Sequence, residues 1–131
     1  MKSLNGTIII LTGIGHTLFG LSPSAFGKQF ATFADHFFFK ISEGLDEFPA
    51  NNGQMNYENF AAFWFFYFGL LLIPLGIAVY HIEKNSGKIP KAVRFSYLAL
   101  ILVGIYMIPN SGMTFIMLPH ALYMMIPKKS L

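Results

Sequence analysis

The chain alternates long apolar runs with short polar connections. Leu4 to Leu21 carries no charged residue, close to the ~20 residues that a helix needs to cross a hydrocarbon core. Within it Gly6, Gly13 and Gly20 recur every seven residues, which on a helix makes one bare stripe for close backbone packing. A signal peptide has a similar apolar run, but Ser22-Pro23-Ser24 is a poor cleavage context, so the segment reads as a retained span. Next, Phe26, Phe30, Phe33, Phe37 and Ile41 fall at helical spacing, with Lys28, Gln29, Asp35 and Lys40 off that face. This predicts an amphipathic helix over about 23–41, opened by a Ser22 cap and Pro23 in the first turn. It is too polar to span, and is expected in the membrane interface or over the bundle mouth as a lid. Residues 42–56 collect Gly44, Pro49, Asn51, Asn52 and Gly53 and predict a loop.

Tyr57 to Tyr80 is apolar almost throughout and predicts a second span, with Trp64 among aromatics in its first half. Gly69 and Gly76 repeat the seven-residue interval, and Ala62 and Glu58 extend that stripe toward the start. Pro74 lacks a backbone donor, which predicts a kink near Leu70. After a basic connection, His81 to Lys91, a third run covers Ala92 to Ile108 with Arg94 placed to snorkel. Pro109-Asn110-Ser111-Gly112 predicts a tight turn, and Met113 to Ile126 a fourth span interrupted by Pro119. At ~1.5 Å per residue this last helix covers about 21 Å, short of a ~30 Å core, so local thinning or snorkelling by Lys128 and Lys129 must compensate. The expected fold is all-α: one integral membrane four-helix bundle over 1–131, with spans at about 4–21, 57–80, 92–108 and 113–126. The amphipathic helix lies outside the cytoplasm, between the first two spans.

Composition points the same way. Hydrophobic residues make up 54% and charged residues 11%, with mean hydropathy +0.54, whereas soluble domains carry roughly a quarter charged residues. The net charge of +3 does not imply nucleic acid, because the basic residues are scattered between apolar runs. Lys2, Lys84, Lys88, Lys91, Arg94, Lys128 and Lys129 fall on one side of the four spans, and Lys28 and Lys40 on the other. That imbalance predicts a multi-pass protein of the cell membrane with both termini cytoplasmic. The absence of cysteine excludes disulfides, thiolate metal sites and cysteine nucleophiles.

The segments G-I-G-H in the first span, F-W-F-F-Y-F-G in the second and P-N-S-G before the fourth resemble a domain-of-unknown-function family of small bacterial four-span membrane proteins. The resemblance implies the span count and a bacterial membrane, and carries no activity or site residues. In layout alone the chain is similar to DoxX-like four-helix membrane proteins, some linked to quinone or redox partners.

Three groups are candidates for chemistry. His16 and His120 lie at nearly matching depths in the first and fourth spans, and ionisable groups in lipid usually face the bundle interior. Such a pair could hold a haem, contact a quinone carbonyl or relay a proton. The plainer reading is structural hydrogen bonding, with Thr12 and Thr17 near His16 and the Phe115 carbonyl, freed by Pro119, beside His120. Met113, Met117, His120 and Met124 share one helix face, a donor set that suits copper(I), though packing is the commoner use of methionine. No metal is expected. Finally, Glu58 sits on the glycine face at the mouth of the second span, where a half-dry carboxylate could act as a general acid or proton acceptor with His36 or His16. Otherwise it is a solvated interfacial group, like the rim of Asp35, Glu43, Asp46 and Glu47.

There is no phosphate-cradling glycine loop, H-E-x-x-H or G-x-S-x-G. The leading functional expectation is therefore a cavity among the helices, under the 26–37 segment, for a lipid, quinone or isoprenoid-like molecule. Its contacts would be His16, His120, Glu58, Trp64, Met117 and Phe33. A membrane enzyme acting on such a molecule through Glu58 or His16 is the second reading. A structural or partner-binding subunit is the third, assembling as a homo-oligomer or within a larger membrane complex through the glycine stripes.

Overall fold

The computed structural model describes residues 3–31, 50–51, 54–55 and 57–126. Its elements are α1 (Leu4–Gly20), β1 (Ala50–Asn51), β2 (Gln54–Met55), α2 (Tyr57–Ser86), α3 (Lys91–Met107), a π-helical turn (Met113–Met117) and α4 (Leu118–Met125). The described elements are helical apart from one antiparallel pair with Ala50 opposite Met55, which falls inside the stretch expected to be a loop. Among the described residues, α2 alone is long and apolar enough to cross a membrane by itself, while Leu4–Gly20 and Met113–Met125 are shorter apolar helices.

The chain divides into two compact units: Met1–Ile10 with Pro74–Leu131, and Leu11–Ile73. In the first unit the opening of α1 touches the second half of α2 through backbone. A Cβ at Gly6 would lie 2.6 Å from the Gly76 carbonyl oxygen, and one at Gly76 would lie 2.8 Å from the Ile10 nitrogen. The buried positions of α3 are Tyr97 and Ile101, and those of α4 include Ala121 and Met124, each set at helical spacing on one stripe. Where Pro119 removes a donor, the helix widens. The Leu118 N–H reaches back five residues to the Met113 carbonyl, so the interruption expected at Pro119 takes the form of a π turn running into α4.

α2 runs unbroken through Pro74 and continues past its expected end at Tyr80 to Ser86. It stops where Gly87 takes a positive φ of 71° and donates its N–H to the Glu83 carbonyl at 3.0 Å. This is the left-handed C-terminal cap that glycine adopts without a Cβ clash. Ser86 Oγ reinforces the stop, lying 2.7 Å from both the Ile82 and the Lys88 carbonyl oxygens, either of which can accept its one proton.

In the second unit a Cβ at Gly13 would lie 2.7 Å from the Gly69 carbonyl oxygen, again a close backbone approach. The chain then turns: Phe26 N–H donates to the Gly20 carbonyl, and Ala25 and Gly27 both donate to Ser22. Pro23 therefore sits in a turn, not in the first turn of a helix, and helical geometry begins at residue 27 and continues to 31. The remainder of the expected amphipathic helix, including Phe33, lies outside the described residues. Phe26, in the turn, and Phe30 pack on Phe65 and Phe66 of α2 with ring centroids 5.1 and 4.7 Å apart.

Candidate functional site

Within the first unit, the start of α1, the end of α2, the start of α3 and the end of α4 border a cavity of about 430 Å³, a size ordinary for a small-ligand site. Its polar lining is Asn5, Glu83, Lys88, Lys91 and Arg94, and its apolar lining includes Ile89, Phe95, Tyr123, Met124 and Ile126. The two kinds of wall suit a molecule with a charged head and an apolar remainder.

Glu83 is the innermost charge, only 2% exposed. Its carboxylate accepts the Asn5 backbone N–H at 3.0 Å and the Asn5 side-chain amide at 2.8 Å. Asn5 lies in the first turn of α1, where backbone donors have no partner within the helix and where the helix dipole favours negative charge. A carboxylate from α2 thus caps α1. Arg94, half-buried on α3, donates from Nη1 to the Met124 carbonyl at 3.4 Å, an acceptor left open by the end of α4. The Arg94 Nε is buried without a hydrogen-bond partner. Lys88 and Lys91 are exposed at the rim.

Of the residues singled out beforehand as ligand contacts, none of those described lines this cavity. His120 shares the unit and is 6% exposed; its Nδ1 lies 3.2 Å from the Tyr97 hydroxyl across the α3–α4 packing. The His120 Nε2 is buried without a partner. Met117 is buried one turn earlier. Of the methionine face, Met113 packs its sulfur where a Cβ on Gly104 would lie, and among the described residues no three His, Cys, Asp or Glu side chains gather to hold a metal.

His16 belongs to the other unit, half-buried and stacked on Phe65 at 3.9 Å, with Phe68 edge-on at 5.5 Å. The threonine hydrogen bond expected for it is not formed by Thr17, whose hydroxyl and the His16 Nδ1 are both buried without partners. Glu58 is exposed and accepts a hydrogen bond from Gln29 Nε2 at 3.2 Å. The expectation that it points between helices is corrected: Asn59, 4% exposed, occupies the buried stripe three residues before Ala62. Trp64 is 45% exposed and packs with its neighbours Phe63 and Tyr67 on α2. Phe33, His36, Asp35, Glu43, Asp46 and Glu47 lie outside the described residues.

Sequence reasoning missed Asn5, Glu83 and Arg94 as a group. One signal was available, since the interval through Ala62, Gly69 and Gly76 arrives seven residues later at Glu83. A charged residue on a stripe otherwise made of small ones marks a carboxylate forced to find a buried partner.

No curated protein and no solved structure matches the chain. The resemblance to a domain-of-unknown-function family has a counterpart at the level of the whole sequence. The profile of the family of unknown function DUF6463 matches residues 1–130, and the chain belongs to that family.

Proposed function

We propose that this chain is a multi-pass membrane protein that holds an amphipathic, lipid-like molecule by its polar head in the Asn5–Glu83–Arg94 cavity. The observation that carries the reading is the cavity itself, where a buried carboxylate, a half-buried guanidinium and an apolar wall meet at one place. The membrane setting is supported by the length of α2 and by large apolar side chains left exposed on every long helix. Leu11 and Leu18 on α1, Leu71 on α2 and Leu100, Val103 and Tyr106 on α3 are between 49% and 89% exposed. Apolar exposure of that extent needs a covering, and acyl chains are the covering that asks for no specific partner.

In this reading α1, α2, α3 and the Met113–Met125 helix are four crossings and both termini face the cytoplasm, the side where Lys84, Lys88, Lys91 and Arg94 collect. The cavity then lies at the cytoplasmic head-group level, with Arg94 at the boundary and Phe95 and Tyr123 toward the acyl region. The ligand class is the one the composition suggests, but its polar contacts are Asn5, Glu83 and Arg94 in place of His16, His120 and Glu58.

Native mass spectrometry of the full chain, extracted in mild detergent, tests this. The expected result is a retained lipid-sized adduct that is lost from Arg94→Gln and kept in Lys84→Gln, a change outside the cavity. A wild-type protein that emerges bare, or an adduct indifferent to Arg94→Gln, overturns the assignment.

A further inference from the structure

The charge of Glu83 is answered inside the protein. Its side chain is 2% exposed, and its two oxygens accept from the Asn5 backbone N–H and the Asn5 side-chain amide in the first turn of α1, where the helix dipole favours a negative group. The charged groups of the lining that remain for a ligand are three cations, Lys88, Lys91 and Arg94.

The fold fixes how these cations are grouped. Lys88 follows the Gly87 cap directly, and its carbonyl oxygen lies 2.7 Å from Ser86 Oγ, while the buried Ile89 holds the connection to the first unit. Lys91 and Arg94 are three residues apart near the start of α3 and share a face. In the Arg94 guanidinium, Nη1 is taken by the Met124 carbonyl and Nε is enclosed, so Nη2 is the nitrogen that a ligand can reach.

Lysine and arginine only donate hydrogen bonds, and an ionised phosphate diester only accepts them. Guanidinium is further suited to phosphate by its planar array of donors. A head group that also carries an ammonium, such as phosphoethanolamine or phosphocholine, would bring a fourth cation to the three with no carboxylate free to receive it. Phosphoglycerol brings the negative charge alone. Phe95 and Ile126 in the same lining are apolar, a wall that suits an acyl chain and offers a free phosphate nothing. Basic pockets between membrane helices on the cytoplasmic side attract anionic heads for the same reason.

From this arrangement we infer that the ligand is an anionic phospholipid whose head carries a phosphate and no ammonium, of the phosphoglycerol class, with the phosphate held among Lys88, Lys91 and Arg94. The inference rests on the lipid-binding reading above and narrows it to one head-group charge.

The test uses the full chain in detergent, offered equal amounts of phosphatidylglycerol, phosphatidylethanolamine and phosphatidylcholine with matched acyl chains, and read by native mass spectrometry. The expected result is about fivefold or greater enrichment of the phosphatidylglycerol adduct over each of the others. Lys88→Gln combined with Lys91→Gln, at two exposed positions that do not threaten folding, should lower that enrichment several-fold, and Lys84→Gln, outside the cavity, should leave it unchanged. Inorganic phosphate in molar excess, compared with chloride at equal ionic strength, should not displace the lipid. Equal binding of the three lipids, or preference for phosphatidylethanolamine or phosphatidylcholine, overturns the head-group inference and leaves lipid binding standing. A phosphatidylglycerol preference unmoved by the double variant, or lowered as much by Lys84→Gln, overturns its assignment to this cavity. Displacement by inorganic phosphate assigns the cations to a soluble phosphate and overturns the lipid as its source. No adduct with any lipid overturns the lipid-binding reading itself.

Discussion

Asn5 holds Glu83 across 78 residues of sequence by two hydrogen bonds, one from its backbone N–H and one from its side-chain amide. Both residues are 2% exposed, so the pair closes the first unit at the point where α1 begins and α2 nears its end. The carboxylate exchanges solvation by water for two directed donors and the positive end of a helix. That arrangement tolerates loss of either partner badly, because the other is left buried.

Asn5→Ala removes the side-chain donor and spares the backbone one. A hydrogen bond to a charged acceptor contributes about 1.5–3 kcal/mol, and thermal unfolding in detergent should show a loss of that size. Combining Asn5→Ala with Glu83→Ala should cost clearly less than the sum of the two single changes. Strict additivity would mean that the two side chains do not interact.

Gly6 and Gly15 lie on the same helix and differ in surroundings. A Cβ at Gly6 would sit 2.5 Å from the Tyr80 Cα, whereas one at Gly15 meets nothing within 4 Å. Gly6→Ala should therefore destabilise the protein by about 1–3 kcal/mol, the usual cost of overpacking. Gly15→Ala should be neutral, or stabilising by up to about 1 kcal/mol through helix propensity. Melting temperatures of the two variants check this, and equal effects would contradict the close approach of α1 to α2.

Tyr97→Phe deletes the hydroxyl that lies 3.2 Å from His120 Nδ1 and retains the ring. Polar pairs between helices in lipid average about 0.6 kcal/mol by double-mutant cycle. A small stability loss in Tyr97→Phe that disappears in a His120→Phe background is the expected result. A large loss that survives in that background would assign the hydroxyl to another partner.

The absence of cysteine makes topology directly measurable. Ser24→Cys and Asn110→Cys should react with a membrane-impermeant maleimide on intact cells, and Lys88→Cys only after permeabilisation. Labelling of Lys88→Cys from outside would reverse the orientation, and protection of Asn110→Cys would remove the last two crossings.

The seven-residue glycine interval was legible before any coordinates, and so was its counterpart on the second helix. Gly6 meets Gly76 and Gly13 meets Gly69 as that spacing implies, because helix periodicity is a local property and a residue without a side chain admits a neighbour wherever it falls. The same periodicity put Glu58 on the inner stripe, one position off, and packing placed Asn59 inside. The extension of α2 to Ser86 escaped notice because His81-Ile82-Glu83-Lys84 reads as a polar connection until Asn5 is there to receive the carboxylate.

By itself the amino-acid order determined that the apolar runs are helical and that the glycines of the first two helices form bare stripes, and it made lipid the solvent to be expected, since all three follow from composition and short-range spacing. Tertiary structure alone decided that Glu83 is buried, that Arg94 reaches the end of α4 and that a cavity opens between them. Those outcomes depend on four helix ends far apart in sequence arriving at one place, where each buried charge is tolerated only because a distant segment brings its partner.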